Sequence, residues 1–298
     1  MIQRISIIGA GTQGSMLAFR GLAFGYDVTI YSRKESSRRE AKEKIHTWLQ
    51  NWVEEGRLQV TTPELGMERL HLAASLAEAV SQADIIIENV PEILDLKQVI
   101  WTEIDALAPS SALLATNSSS LKSSDIGINV RRKEKTFNVN YMTPTKDDLV
   151  EVMWNVHTSE ETKSQALSFL RSQGHVPVVT LKEIKGFSLN RVWRAIKKEC
   201  LYLWAQGYTT PENLDRAWML EWGTPYGPFG LMDKVGLDII QQIEWSYYAE
   251  SHQEDDRPPK ALSDMVAQGF LGEKSGEGFY RYPNPAYVRD NFLQNPSE

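Results

Sequence analysis

One short segment, Gly9-Ala10-Gly11-Thr12-Gln13-Gly14, constrains the fold of this chain more than any other. It follows Ile5-Ser6-Ile7-Ile8, an apolar run that reads as a strand. It leads into an apolar-periodic stretch at residues 16–22 that reads as a helix, and a second strand, Val28-Thr29-Ile30-Tyr31, comes on schedule. Strand, glycine turn, helix and strand in that order make a βαβ unit in which each glycine has a mechanical task. Gly9 permits the tight turn, Gly11 lets a pyrophosphate approach the backbone, and Gly14 allows close helix–strand packing. The helix N-terminus offers free N–H groups and the positive end of its dipole to the phosphates. Residues Gly9, Ala10, Gly11, Thr12, Gln13 and Gly14 are therefore expected to cradle a dinucleotide.

Beyond the second strand the alternation continues. Strands are expected at residues 84–88, 113–116, 136–140, 150–154 and 176–180, and helices at 36–54, 94–107 and 160–171. Such alternation predicts an α/β fold of Rossmann type, a doubly wound parallel sheet covered on both faces. The shorter connection at 141–149 leaves room for an antiparallel member. From about residue 187 the pattern changes to helices alone, at 190–205, 211–220, 230–248 and 259–267, with proline at or near several starts. The expected division is a nucleotide-binding domain at 1–184 and an all-α C-terminal domain at 185–298. The aromatic residues of the second half (Trp204, Trp218, Trp222, Tyr226, Phe229, Trp245) read as core or subunit contact ahead of ligand platform.

Charge narrows the partners. With 32 Lys and Arg against 39 Asp and Glu, the net charge of −7 would repel nucleic acid and anionic membrane surfaces. An anionic ligand must then be held by local structure. The single cysteine, Cys200, rules out an internal disulfide framework and suits a reducing compartment. No apolar run approaches the roughly 18 residues that a bilayer span needs. The expectation is a cytoplasmic protein with a small-molecule substrate, no nucleic acid or membrane partner and no metal.

The end of the second strand speaks to the cofactor. NAD sites usually place Asp or Glu there to bond the ribose 2′-hydroxyl. Here the strand ends Ile30-Tyr31-Ser32, followed by Arg33 and Lys34. A hydroxyl and two cations in place of a carboxylate suit a 2′-phosphate, so NADP is favoured and NAD is the alternative. The competing reading is that Arg33 and Lys34 merely open a solvated charged helix.

Several further motifs, taken together, resemble the 3-hydroxyacyl-CoA dehydrogenase family over nearly the whole chain. They stand in family order: the glycine loop; Asn89-Val90-Pro91-Glu92 with Lys97; Ala115-Thr116-Asn117-Ser118-Ser119-Ser120-Leu121; and Leu149-Val150-Glu151-Val152. Then come Lys185-Gly186-Phe187-Ser188-Leu189-Asn190-Arg191, Gly227-Pro228-Phe229 with Gly236-Leu237-Asp238, and residues 272–280, reading Gly-Glu-Lys-Ser-Gly-Glu-Gly-Phe-Tyr. The resemblance implies a helical domain that dimerises and an active site between the domains. It implies dinucleotide contacts for Glu92, Lys97 and Lys274. It also implies a cofactor and substrate contact for Ser119, with Asn117 beside it, an active-site amide at Asn190, and a carboxylate at Glu151 that orients the family's catalytic histidine. Lys97 reads alternatively as a solvated helix residue, and Asn190 as the cap of the helix beginning there.

The chain departs from the family where it matters most. The family pattern His-Phe-Phe-Asn-Pro stands here as Asn140-Tyr141-Met142-Thr143-Pro144. An amide hydrogen-bonds but exchanges no proton near neutral pH, and general acid–base help is worth about 10²- to 10⁴-fold. Ordinary hydroxyacyl-CoA oxidation is expected to be handicapped. Two functions follow. One is an active oxidoreductase acting on a hydroxy/carbonyl or amine/imine substrate, with Tyr141, a water or Glu151 as the acid where a carbonyl needs one. The other is a dinucleotide-binding protein that has lost catalysis.

Overall fold

The computed structural model describes residues 2–58, 62–142 and 148–294. It divides into two compact units, residues 1–188 and 189–298. The first unit carries one eight-stranded sheet. Its strands are β1 (Arg4–Ile8), β2 (Asp27–Tyr31), β3 (Leu70–Ala73), β4 (Ile85–Glu88), β5 (Leu113–Thr116), β6 (Thr136–Tyr141), β7 (Leu149–Trp154) and β8 (Val176–Thr180). Their order is β3-β2-β1-β4-β5-β6-β7-β8. Every neighbouring pair is parallel except β6 and β7. This is the doubly wound, Rossmann-type sheet with an antiparallel extension. Ligands of such sheets bind outside the carboxyl ends of the strands.

Strands buried on both faces read as continuous apolar runs, and Ile85-Ile86-Ile87 is one. Ile85 and Ile87 join the core beneath α1 (Thr12–Ala23), α2 (Glu35–Glu54) and, further along the chain, residues 160–172. Ile86 faces the opposite layer. The remaining helices of this unit are α3 (Thr62–Glu68), α4 (Leu76–Val80), α5 (Leu94–Leu107), α6 (Ser123–Ile126) and α7 (Glu160–Ser172). Local chemistry sets their starts: Ser75 accepts from Glu78 N, and Ser159 from Thr162 N. Strand β3 is absent from the sequence expectation. It is four residues long at the sheet edge with only Ala73 buried, so it lacks the apolar run used to find the others.

The helices α8 (Phe187–Ala205), α9 (Pro211–Trp222), α10 (Pro228–Val235), α11 (Leu237–Ser251) and α12 (Lys260–Ala267) complete the chain. Two expectations are corrected here. The single helix expected at 230–248 is broken at Gly236, whose φ of 101° a helix cannot contain. Helix α8 starts at Phe187, so Asn190 lies inside its first turn and is not the cap. The second unit has its own core around Leu201, Phe229, Met232, Leu237 and Ile240. Trp204 belongs to it, edge-on to Phe279 at 4.9 Å, whereas Trp222 is exposed. Among the described residues no helix is long and apolar enough to cross a membrane.

Candidate active site

The glycine loop has the geometry that a pyrophosphate requires. Gly9 has φ 118° and donates its N–H to Tyr31 O at 2.8 Å; a Cβ there would sit 2.5 Å from Asn89 O. A Cβ on Gly14 would sit 1.8 Å from Gly9 O, so neither position admits a side chain. Gly11 differs, since a Cβ there would meet nothing within 4 Å. It is the N-cap of α1 and makes no side-chain cap bond. The first amides of α1 are thus left to an incoming anion. Thr12 and Gln13 are exposed, Ala10 is buried, and Gln13 Nε2 reaches Met142 O at 3.2 Å.

At the end of β2, Ser32 is half-buried while Arg33 and Lys34 are exposed. Among the described residues neither cation meets a carboxylate. Arg39 is different, being paired with Glu35 at 2.5 Å. The Arg38 guanidinium donates to the Ser32 carbonyl and holds the turn from beneath.

A stripe of polar side chains crosses β4 to β7 on the sheet face opposite the larger core. Glu88 pairs in register with Thr116, Thr116 with Asn138, and Asn140 with Glu151. All five are buried, so each needs partners. Glu88 accepts from Val90 N at 2.6 Å, Lys97 Nζ at 2.7 Å and Thr116 Oγ1 at 2.8 Å. Lys97 is fully buried, not solvated, and its ammonium also meets Val90 O at 3.1 Å and Glu92 at 3.3 Å. Those three contacts use its donors. Burial opposes the Glu92 charge, but hydrogen bonds from Ser118 and Ser120 and the nearby Lys97 hold its carboxyl below the usual range.

Glu92 and Asn138 grip the turn that carries Ser119 from two sides. Glu92 accepts from the Ser118 hydroxyl and from Ser120 Oγ at 2.6 Å. Asn138 accepts from Ser123 N at 2.7 Å and donates to Leu121 O at 2.8 Å. Ser119 itself is exposed, and its hydroxyl has no partner among the described residues. Asn117 ties the neighbouring loops together, donating to Asn89 Oδ1 at 2.9 Å and accepting from Tyr141 N at 3.1 Å. Glu88 and Asn138 were not singled out from sequence. The available signal was a carboxylate or an amide inside an otherwise apolar strand.

Asn140 donates through Nδ2 to Glu151 at 3.1 Å; the amide is 7% exposed and the carboxylate fully buried. Tyr141, expected as a possible acid, points the other way because successive strand residues alternate faces. Its ring lies in the larger core, 5.2 Å from the His175 ring, and burial pushes the phenol well above its ordinary value. His175 shares that environment and is pushed down to about 4 by burial and the Arg20 cation. Thr143 and Pro144 lie outside the described residues. In the second unit, Asn190 is half-buried without a partner among the described residues, and Lys274 pairs with Asp238 at 2.5 Å.

The glycine-rich motifs of the second unit have a packing explanation. Asp215 accepts from Phe229 N and Gly230 N, and Asp233 from Phe279 N and Tyr280 N. Burial pushes both carboxyls up to about 6. A Cβ on Gly227 would sit 2.4 Å from Asp215 Oδ1, and one on Gly278 would sit 2.2 Å from Asp233 Oδ1. These glycines let the backbone wrap two carboxylates.

Comparison with known proteins identifies the family. The family model for the 3-hydroxyacyl-CoA dehydrogenase NAD binding domain matches residues 4–184, and that for the C-terminal domain matches residues 186–282. A probable 3-hydroxyacyl-CoA dehydrogenase of Caenorhabditis elegans is 31% identical over 288 residues, covering 94% of this chain and 93% of that protein. The 5-formyl-3-hydroxy-2-methylpyridine 4-carboxylate 5-dehydrogenase of Mesorhizobium japonicum is 30% identical, covering 95% and 92%. Among solved structures, a diketoreductase acting on dicarbonyl compounds superposes with a TM-score of 0.85 at 30% identity, covering 94% of this chain and 99% of that one. The chain belongs to the 3-hydroxyacyl-CoA dehydrogenase family, as an oxidoreductase that uses a nicotinamide dinucleotide.

Proposed function

We propose that this oxidoreductase prefers NADP(H) and moves a hydride to or from a hydroxy/carbonyl or amine/imine carbon held beside Asn140. The bound nicotinamide supplies the hydride chemistry. Residues 9–14 hold the pyrophosphate, and Ser32, Arg33 and Lys34 receive the 2′-phosphate. Glu92, set by Lys97, and Asn117 line the dinucleotide, and Lys274 is a further dinucleotide contact in this reading. Ser119 and Asn190 orient the substrate, while Glu151 fixes the Asn140 amide. Cytoplasmic location is part of the same reading.

The observation that carries it is the end of β2, where Arg33 and Lys34 stand exposed with no opposing carboxylate among the described residues. Ser32→Asp should weaken NADPH and favour NADH. A charge-assisted bond is worth about 1.5–3 kcal/mol, so the affinity ratio should move by roughly 10- to 150-fold. High salt should narrow the wild-type preference, since exposed charge contacts are screened. Fluorescence titration of both cofactors checks this, and equal wild-type affinity would overturn it.

Asn140 also gives weight to the second reading, a dinucleotide-binding protein without turnover. Cofactor binding with no consumption of NADPH across carbonyl and imine substrates would establish it.

A homodimer formed through the second unit belongs to the same proposal. That unit exposes Leu220, Trp222, Ile239 and Trp245, at 60%, 58%, 42% and 38%. Large exposed apolar side chains of this kind favour an apolar interface. Sedimentation should show a dimer at micromolar concentration; monomer alone would refute it.

A further inference from the structure

We infer that Arg38, ahead of Arg33 and Lys34, makes the principal contact with the 2′-phosphate of NADP(H). This rests on the reading above that the end of β2 receives that phosphate, and it names the side chain that decides between the two cofactors there. Arg38 lies in the first turn of α2. Side chains on a helix lean back toward its N-terminus, which aims this one at the end of β2. Its guanidinium donates through Nη1 to the Ser32 carbonyl. The cation is thereby fixed beside the residue whose hydroxyl bonds the phosphate in that reading.

Two features set Arg38 apart from the cations around it. The first is that its charge is unanswered. Arg39, the next residue, pairs with Glu35 at 2.5 Å, but among the described residues no carboxylate forms an ion pair with Arg38. A guanidinium presents a planar fork of N–H donors that matches phosphate geometry. One donor goes to the Ser32 carbonyl, and no other acceptor among the described residues meets the rest. Those donors are left to water or to an incoming anion.

The second is that Arg38 is already held. It is half-buried, whereas Arg33 and Lys34 are exposed. A long exposed side chain gives up rotamer freedom when it grips a ligand, and its charge is screened by salt. Arg38 has given up part of that freedom to its bond with Ser32, and partial burial strengthens its attraction for a dianion. Pre-organised contacts of this kind bind more tightly. Arg33 and Lys34 then form a solvated surround that raises the local potential. A residue that merely braced the turn would act differently. A brace serves NADH and NADPH alike, but a phosphate contact separates them.

The test is fluorescence titration of NADPH and NADH on the full chain and on Arg38→Leu, Arg33→Ala and Lys34→Ala, at low and high salt. Arg38→Leu should cut the NADPH-to-NADH affinity ratio by about tenfold or more, the loss of a charge-assisted bond. Each exposed-site variant should cut it by less than about fivefold, the scale of a solvated ion pair. The preference that survives high salt should vanish in Arg38→Leu and persist in the other two. If Arg38→Leu misfolds by circular dichroism, Arg38→Lys keeps the charge without the fork and should still cut the ratio by roughly threefold or more. An unchanged ratio in a folded Arg38 variant, even with both cofactors weakened, overturns this inference alone. So does a larger fall in Arg33→Ala or Lys34→Ala. A wild-type chain that binds both cofactors equally overturns the proposed function and the inference with it.

Discussion

Asn140→His is expected to raise 3-hydroxyacyl-CoA oxidation by at least tenfold and to lower turnover of the native substrate. The register that sets Asn140 opposite Glu151 would put an imidazole where that carboxylate can orient it and stabilise its charged form. A positioned general base is worth about 10²- to 10⁴-fold. The lower end is expected, because the buried position now holds a smaller amide. The sign with pH follows. Oxidation needs the neutral imidazole, so the gained activity should rise with pH through the histidine pKa. The Glu151 carboxylate raises that pKa above the ordinary value of about 6.5. Reduction should show the opposite slope. Kinetics of Asn140→His and Asn140→Ala on a hydroxyacyl-CoA and on an imine provide the check. Two folded variants with wild-type kinetics on both would place Asn140 away from the reacting carbon.

The largest expected loss of stability comes from Lys97→Met. Lys97 and Glu88 are each fully buried at 2.7 Å, and removing the cation strands a carboxylate in the interior. Breaking a buried pair in this way costs about 3–5 kcal/mol. For a chain of this size that is roughly 10 °C or more in Tm. Pairing it with Glu88→Gln should recover much of the loss, because the stranded charge is then gone. Thermal unfolding of the single and double variants measures both. A single variant as stable as wild type would mean that Glu88 finds its protons or partners elsewhere. Because Lys97 also sets Glu92, the Ser118–Ser120 turn should loosen with it, and NADPH binding should weaken even where the protein stays folded.

The glycine loop could be read from sequence because its meaning depends on order along the chain, strand then turn then helix, and the structure keeps that order. The amide–carboxylate pair could be read because family spacing put Asn140 and Glu151 eleven residues apart on adjoining strands, and the antiparallel register brings them together. Lys97 could not be placed by the same means. A lysine on an amphipathic helix looks solvated until the partner that buries it, Glu88, is known to point the same way. Glu88 and Asn138 were passed over because the strand reading weighed apolar residues and ignored exceptions within them. Strand β3 and the break at Gly236 depend on edge exposure and on a backbone angle, neither of which apolar periodicity reports.

The polar stripe has a consequence for how the sheet finds its alignment during folding. Central strands such as Ile85-Ile86-Ile87 are apolar on both faces, so sliding one by a single residue exchanges its two sides with little change in hydrophobicity. Glu88 removes that freedom. Slipped by one position, it would turn into the apolar layer that holds Ile85 and Ile87, away from Lys97 and Thr116. Asn138 and Asn140 do the same for β6, whose alternate residues Phe137, Val139 and Tyr141 fill that layer. The side chains that hold Lys97, the Ser118–Ser120 turn and the Asn140–Glu151 pair also select one alignment among near-equivalent ones. Making this stripe apolar would then yield a protein that is no less compact but no longer single in structure.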